Sequence, residues 1–355
     1  MVPRTALAAA KKRGEQVKIF VMGAGSFGIA LAVLTHKQGH TLTLWSPFER
    51  EVEQLCTHRT QPNLLPGVKI PQNITITDSL ELVPSQDMVI LATPSYAVRE
   101  SARLLAGCGL PGDMVVACVS KGLEAGSCKT LSCILHEELG GDRHVMLSGP
   151  SHAEEVVMGF PTTVVAASTV REAAKFVQDA LSGEALRVYI NDDVLGVELG
   201  GALKNVIALA CGVLDGLGGG DNTKAALMTR GMAEIARLGV ALGARSETFA
   251  GLSGVGDLIV TCSSRHSRNR RFGILIGQGR SPEEALTEIG MTVEGYACAK
   301  IAWELAQKQG VTMPITELVY RVLYEGKNLK QAVSELMGRP KRHESEEVWL
   351  FSQDK

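Results

Sequence analysis

The chain has 355 residues, a formal net charge of −2 at pH 7 and a hydrophobic fraction of 45%. This composition excludes general disorder, and the length is enough for two domains. The near-neutral charge argues against a whole-domain nucleic-acid binder, and we expect no nucleic-acid partner. No two of the eight cysteines have CxxC spacing, which indicates reduced thiols in a cytosolic protein rather than a disulfide framework or a metal site. We find no apolar run of the roughly 20 residues that a membrane span needs, and therefore expect no integral membrane contact.

The first half of the chain alternates short apolar strands with helices. Residues 1–15 carry several basic residues and are predicted to be a disordered tail. The predicted strands that follow are rich in Val and Ile, which is typical of strands buried on both faces of a parallel sheet: 17–22, 41–45, 87–92, 114–119, 145–147 and 162–167. Thr169, with Glu172 three residues later, predicts a capping box at a helix start. The pattern predicts an α/β Rossmann-like doubly wound sheet over residues 16–192.

The second half of the chain reads as helices alone. Predicted helices span 196–215, 223–242, 281–289, 293–309 and 316–324, and Ser281 with Glu284 predicts a capping box at the start of the third. We therefore expect an all-α C-terminal domain over 193–340 that binds substrate, followed by a loose charged tail, 341–355.

A dinucleotide fingerprint follows the first predicted strand. Gly23, Gly25 and Gly28 form a GxGxxG turn that leads into an apolar helix. The first glycine permits the tight turn, the second leaves room for a pyrophosphate, and the third lets helix and strand pack closely. Because the strand and the helix are both in place, the motif predicts binding of NAD or NADP.

The cofactor's ribose contact is less clear. No acidic residue ends the second predicted strand, so Ser46 or Arg50 could contact the 2′-phosphate of NADP. Alternatively, Glu49 grips the ribose of NAD from a longer loop.

Two lysines are candidates for the chemistry. Lys204 lies on the small-residue face of the first predicted helix of the second domain, and partial burial there would lower its pKa and suit it to proton transfer. Lys121 follows a buried strand at its carboxyl end, where open α/β sheets bind ligands. The alternative for each is a solvated surface lysine.

A basic cluster in the second half suggests a phosphate site. Four arginines lie within residues 265–271, and their planar guanidinium groups match phosphate oxygens. A nucleic-acid patch and a solvated basic loop are the alternatives. Asp257, just before this cluster, is suited either to orienting a catalytic lysine or to capping the next helix.

Together these motifs resemble NAD(P)-dependent glycerol-3-phosphate dehydrogenase of the bacterial type. The matching segments run in family order: GAGSFG at 23–28, SKGLE at 120–124, SGPSHAEE at 148–155, GVELGGALKNVIALA at 196–210, TRGMAEIARLG at 229–239, GLSGVGDLIVTC at 251–262, SRNRRFG at 267–273, VEGY at 293–296 and MPITELVY at 313–320. They cover roughly residues 17–340. The family often has a basic residue directly after the second strand, where this chain has Pro47, so the 2′-phosphate contact stays open.

The resemblance implies a role for each matching residue. Lys204 would be the proton acceptor or donor. The substrate would contact Lys121, Gly149, Ser151, Lys204, Asp257, Ser267, Arg268 and Asn269. Beyond the three glycines of the fingerprint, the cofactor would contact Ser26, Phe27, Lys121, Ala153, Arg268, Thr292 and Glu294.

The resemblance also implies a function. We expect a cytoplasmic homodimer that reduces dihydroxyacetone phosphate to sn-glycerol 3-phosphate with NAD(P)H, reversibly, and supplies glycerophospholipid synthesis. The alternatives are a Rossmann dehydrogenase that acts on a β-hydroxyacid and a non-catalytic NAD(P) sensor.

Overall fold

The structure, a computed structural model, describes residues 15–340. Apart from Glu15, the two predicted tails, 1–15 and 341–355, lie outside the described residues. The chain divides into two compact units. One runs to Ser120 and resumes over Leu131–Val194, and the other contains Lys121–Thr130 and the chain from Leu195 onward.

The first unit is built on an eight-stranded sheet with the strand order β3-β2-β1-β4-β5-β6-β7-β8. The strands are β1 Lys18–Met22, β2 Thr41–Trp45, β3 Thr75–Thr77, β4 Met88–Leu91, β5 Val115–Cys118, β6 His144–Ser148, β7 Thr162–Ala167 and β8 Leu186–Asn191. All neighbouring strands are parallel except β6 and β7. The expected parallel sheet is therefore confirmed except at this one pair.

Helices cover both faces of this sheet. They are α1 Ser26–Lys37, α2 Glu49–His58, α3 Val98–Gly107, α4 Leu131–Leu139, α5 Ala153–Met158 and α6 Arg171–Leu181. Alternate residues of a strand point to opposite faces. Ile19 and Val21 accordingly belong to one hydrophobic cluster, whereas Phe20 and Met22 belong to another. Two separate cores confirm the doubly wound α/β fold.

In the first unit, two strands were missed and the predicted start of one helix was wrong. β3 has three residues, and β8 alternates buried and exposed positions, so neither shows the apolar run by which buried strands are recognised. The capping box predicted at Thr169 was wrong: Val170 is the N-cap of α6 and makes no side-chain cap, and the Ser168 hydroxyl accepts from the Val170 amide at 3.2 Å.

The second unit is helical. Its helices are α7 Val194–Gly216, α8 Asp221–Ala241, α9 Ser246–Phe249, α10 Asp257–Ser263, α11 Arg268–Gly277, α12 Pro282–Ile289, α13 Glu294–Gln309, α14 Pro314–Tyr324 and α15 Leu329–Met337, with a π-helical stretch, Leu252–Gly256, directly before α10. The capping box at the start of α12 is confirmed, with Ser281 and Glu284 bonded to each other's amides.

The central helix of this unit, α7, is an apolar run of the length that the sequence analysis did not find. α7 has 23 residues and is long and apolar enough to cross a membrane by length and composition. However, 83% of its most apolar window is buried inside the protein. We therefore describe α7 as the core helix of the helical unit.

Candidate active site

The glycine turn joins β1 to α1 and leaves one position open. A Cβ at Gly23, where φ is +125°, would lie 2.7 Å from the Ala92 carbonyl oxygen, and one at Gly28 would lie 2.0 Å from the Gly23 oxygen. These two glycines are required by close backbone packing. A Cβ at Gly25, the N-cap of α1, would meet no atom within 4 Å. The turn thus has free space beside the amides that begin a 12-residue helix, which is the arrangement that binds a pyrophosphate.

The residues after β2 are the candidates for contact with the cofactor's ribose or its 2′-phosphate. The Ser46 hydroxyl is buried and donates to a carboxylate oxygen of Glu51 at 2.5 Å, so its proton is already engaged. Glu49 and Arg50 are exposed. Of the acidic residues that follow β2, Glu51 is thus the one bonded to the strand end, whereas the sequence had indicated Glu49.

Exposed aromatic side chains follow both neighbours of β1. Phe48 follows β2 and is 66% exposed, and Tyr96 follows β4 and is 73% exposed. The carboxyl ends of these strands are where such sheets bind ligands, so both rings follow strands at the ligand-binding edge.

The loop after β6 holds another group of predicted residues in this unit. Gly149 has a φ of +126°, and a Cβ there would lie 3.1 Å from the Cα of Val164. The Ser151 hydroxyl donates to the Gly149 carbonyl at 2.9 Å, and Ala153 begins α5. The tight turn therefore needs glycine and fixes the serine beside the carboxyl end of the strand.

Three predicted residues of the helical unit are in direct contact. The Lys204 ammonium, on α7, donates to one carboxylate oxygen of Asp257, the first residue of α10. The Lys121 ammonium donates to the other oxygen at 2.8 Å. Lys204 also donates to the Thr261 hydroxyl at 2.8 Å, and that hydroxyl donates to the Asp257 carbonyl at 2.6 Å. One carboxylate thus holds two ammonium groups, and of the two alternatives for Asp257 its contacts fit the orienting role.

Burial tunes this cluster. Lys204 is 6% exposed and Asp257 is 1% exposed, so the surface-lysine alternative for Lys204 is wrong. Burial lowers the pKa of Lys204 to about 8, although the Asp257 charge opposes that shift. For Asp257, burial raises the pKa, but the charges of Lys121 and Lys204 outweigh it and hold the pKa below its usual value. Asp257 is therefore a carboxylate at neutral pH, and Lys204 loses its proton near pH 8.

Local packing explains how these side chains meet. Lys121 belongs to the segment Lys121–Thr130, which folds with the helical unit because Leu123 is buried in its core. A Cβ at Gly200 would lie 2.6 Å from the Ser253 carbonyl oxygen, so only glycine lets the π-helical stretch lie directly against α7. This close approach brings the start of α10 opposite the buried lysine. π-helical turns occur frequently at functional sites.

The arginine cluster, residues 265–271, lies at the start of α11, and its arginines have different contacts. Ser267 is the N-cap and accepts from the Arg270 amide at 3.2 Å. The Arg270 guanidinium donates to Asp215 on α7 at 2.7 Å, so this arginine joins two helices. Arg268 is half-buried as the first residue of α11. The sequence could not separate these roles, because all four arginines fit the same phosphate pattern.

Asn269 links this helix to two others. Its amide nitrogen donates to Asn205, the neighbour of Lys204, at 2.9 Å, and its carbonyl oxygen accepts from the Gly295 amide at 2.8 Å. Thr292 and Glu294 lie in the same stretch at the start of α13. Helix α11 and the start of α13 are therefore tied to the lysine-bearing helix. Asn205 and Thr261 were not among the predicted site residues. Thr261 lies four residues after Asp257 on one helix, and this spacing was the available signal.

Four glycines bring α7 and α11 into backbone contact. A Cβ at Gly212 would lie 2.0 Å from the Arg270 oxygen, and one at Gly216 would lie 2.3 Å from the Ile274 oxygen. Gly273 and Gly277 meet the backbone of α7 at 2.1 Å and 2.3 Å in the same way. The spacing of four residues on both helices makes one continuous contact that fixes the position of the α11 N-terminus.

Family models and known relatives match most of the chain. The model for the N-terminus of NAD-dependent glycerol-3-phosphate dehydrogenase matches residues 18–174, and the model for its C-terminus matches residues 193–334. A glycerol-3-phosphate dehydrogenase [NAD(P)+] of Moorella thermoacetica is 54% identical over 329 residues, which are 92% of this chain and 98% of that protein. One from Desulfitobacterium hafniense is 51% identical and covers 95% of this chain and 96% of its own. The crystal structure of glycerol-3-phosphate dehydrogenase from Coxiella burnetii is 37% identical, with a TM-score of 0.87 over 91% of this chain and 99% of that one.

Proposed function

Since the chain belongs to the NAD-dependent glycerol-3-phosphate dehydrogenase family, we propose that it reduces dihydroxyacetone phosphate to sn-glycerol 3-phosphate with NADH or NADPH, reversibly. The observation that carries this proposal is the buried Lys204 ammonium, held by Asp257 and Thr261 with a pKa of about 8. Reduction of a ketone needs a proton donor of this kind beside the oxygen.

The glycine turn fits the cofactor. The space at Gly25 and the amides at the start of α1, which include those of Ser26 and Phe27, suit its pyrophosphate. When bound, NADH or NADPH supplies the hydride that the ketone carbon accepts. The exposed rings of Phe48 and Tyr96 offer apolar faces at the same edge of the sheet for the adenine.

The proton in this reaction belongs to Lys204. Negative charge develops on the ketone oxygen as the carbonyl is reduced, and a positioned ammonium stabilises that charge and donates its proton. Asp257 and Thr261 each hold the ammonium from a fixed direction. The second ammonium, Lys121, touches the same carboxylate and is suited to binding an oxygen of the substrate. In the reverse direction the neutral amine of Lys204 accepts the hydroxyl proton.

The start of α11 suits the substrate phosphate. Arg268 supplies a guanidinium and the helix N-terminus supplies partial positive charge, both of which favour phosphate. Asn269 fixes this end of the helix against Asn205, next to the proton-donating lysine. Binding energy from the phosphate end can then position the ketone for reduction.

The proposal also covers the location of the protein, its oligomeric state and its contact with a 2′-phosphate. We propose that the protein is a cytoplasmic homodimer whose product enters glycerophospholipid synthesis. The engaged hydroxyl of Ser46 and the exposed guanidinium of Arg50 favour Arg50 as the residue that meets a 2′-phosphate.

A saturation assay tests the function. The purified protein is supplied with dihydroxyacetone phosphate and either NADH or NADPH, and loss of the reduced nicotinamide absorbance is followed. We expect turnover with at least one cofactor and none when a β-keto acid replaces the phosphorylated ketone. Tight cofactor binding without turnover on any ketone would favour the sensor, and turnover on the β-keto acid alone would favour a β-hydroxyacid dehydrogenase.

A further inference from the structure

An open apolar groove lies in the helical unit, away from the lysine cluster. It has a volume of about 510 Å³ and is lined by side chains of α7, α8, α14 and α15, among them Leu214, Leu227, Leu318, Val322 and Leu336. A volume of this size falls within the range of binding pockets. None of the residues that line it contacts Lys121, Lys204 or Asp257 in the bonds described above.

Several apolar side chains that line the groove are exposed to solvent. Leu217 is 38% exposed, Val333 is 42% exposed and Met337 is 78% exposed, and all three line it. Contiguous exposed apolar surface bordered by polar groups marks an interaction site.

The polar groups along the groove are mostly cationic. Arg230, Arg237 and Arg339 line it. Glu234, which also lines it, is a buried carboxylate that accepts hydrogen bonds from the amides of Ile315 and Thr316 at the start of α14. Glu234 also attracts Arg237, but the three arginines outnumber this one carboxylate. The groove therefore fits a ligand that combines apolar side chains with negative charge.

The chain itself carries such a segment next to the groove. Pro340, the last residue that the structure describes, lines the groove, and 15 residues follow it. Within them, Glu344, Glu346 and Glu347 precede the consecutive apolar residues 349–351, Trp-Leu-Phe, and no Lys or Arg lies between 343 and 354. The eight residues between Pro340 and Trp349 can span roughly 30 Å when extended, which is enough to reach any part of a groove of this volume.

We propose that this groove binds the chain's own C-terminal segment, with the side chains of Trp349, Leu350 and Phe351 on its apolar surface and Glu344, Glu346 and Glu347 beside the arginines. The attachment at Pro340 makes the contact intramolecular, so the segment is present at high effective concentration. Two aromatic side chains supply most of the apolar area that becomes buried. The segment thereby covers the side chains that α15 leaves exposed.

Hydrogen exchange on the full-length protein tests this contact. The variant Trp349→Ser/Phe351→Ser removes the two aromatic rings, and the matched control Ser352→Ala/Gln353→Ala changes the same tail without removing apolar surface. We expect amide exchange in α15, Leu329–Met337, to become at least about 10-fold faster in the aromatic variant and to stay unchanged in the control. Unchanged exchange of α15 in both variants would overturn the proposal.

A chain that ends at Pro340 gives an independent test. Its α15 amides should exchange as fast as those of the aromatic variant, and an added peptide of residues 341–355 should slow them again. A peptide with both aromatic residues replaced by Ser should have no effect. Protection that survives removal of the tail would overturn the proposal. Protection that disappears when the full-length protein is diluted below the concentration at which it self-associates would identify a second copy as the occupant and refute the intramolecular contact.

Discussion

Replacement of Asp257 by Asn probes the lysine cluster directly. The change removes one negative charge and keeps the size of the side chain. Lys204 and Lys121 then face each other without the carboxylate that holds both of them. Burial and the Lys121 charge lower the pKa of Lys204, and the Asp257 charge is the largest influence that raises it. In D257N the pKa of Lys204 should therefore fall below its present value of about 8.

The size of the effect follows from the burial of the pair. Breaking a buried ion pair by removing one partner costs about 3–5 kcal/mol, and each 1.4 kcal/mol is tenfold in an equilibrium. Part of this free energy appears as a lower stability of the folded protein, and part appears as a lower pKa of Lys204. General acid catalysis typically contributes ~10²- to 10⁴-fold to the rate. We therefore expect kcat for reduction at neutral pH to decrease by a factor in that range.

The assay is the pH dependence of kcat for ketone reduction, together with a thermal melt of the same protein. The alkaline limb of the profile should move to lower pH in D257N. Thr261→Ser, which keeps the hydroxyl that Lys204 donates to, is the matched control and should leave the limb in place. A profile in D257N that coincides with that of the unchanged protein would refute the reasoning, because it would mean that Asp257 does not set the protonation of Lys204.

Three further predictions concern the pH dependence, the phosphate and the helix contact. In the unchanged protein, reduction should weaken and oxidation should strengthen as the pH rises through about 8, because burial lowers the pKa of Lys204 to that value and reduction needs its ammonium; steady-state rates in both directions check this, and parallel profiles would contradict it. Arg268→Ala should raise KM for the phosphorylated substrate at least about 10-fold, whereas the control Arg271→Ala, at an exposed position of the same helix, should not; equal effects of the two changes would contradict a specific phosphate contact. Gly273→Ala places a Cβ 2.1 Å from a carbonyl oxygen of α7 and should lower stability by about 1–3 kcal/mol, measured by denaturant unfolding, whereas Gly107→Ala, where a Cβ meets nothing within 4 Å, should cost less; the reverse order would show that α7 and α11 are not in backbone contact.

The sequence predicted the sheet of the first unit because its strands are buried on both faces. Such strands appear as apolar runs, and β2 and β7 have the predicted bounds. β3 and β8 were missed because a three-residue strand and a strand with alternating exposure carry no such run. The antiparallel pairing of β6 and β7 could not be read either, because the direction of a strand depends on its connection rather than on its composition.

For the site, the sequence identified residues but not their contacts. Lys204 and Asp257 are 53 residues apart, and their contact depends on the glycine at position 200, which admits the π-helical stretch. Nothing in the sequence indicated that Lys121 folds with the helical unit, where Leu123 is buried in the core and Lys121 bonds to Asp257. Likewise, the pairing of Arg270 with Asp215 shows that at least one arginine of the cluster serves helix packing.

The central claim is that the Lys204 amine carries the proton to and from the substrate oxygen. The most direct measurement is kcat/KM for reduction of dihydroxyacetone phosphate by Lys204→Met, with cofactor binding measured by titration on the same protein and with Lys300→Met, at an exposed position of α13, as the control. The account predicts a loss of at least about 10²-fold for Lys204→Met, unchanged cofactor affinity, and normal turnover in the control. Near-normal turnover of folded Lys204→Met protein would contradict it.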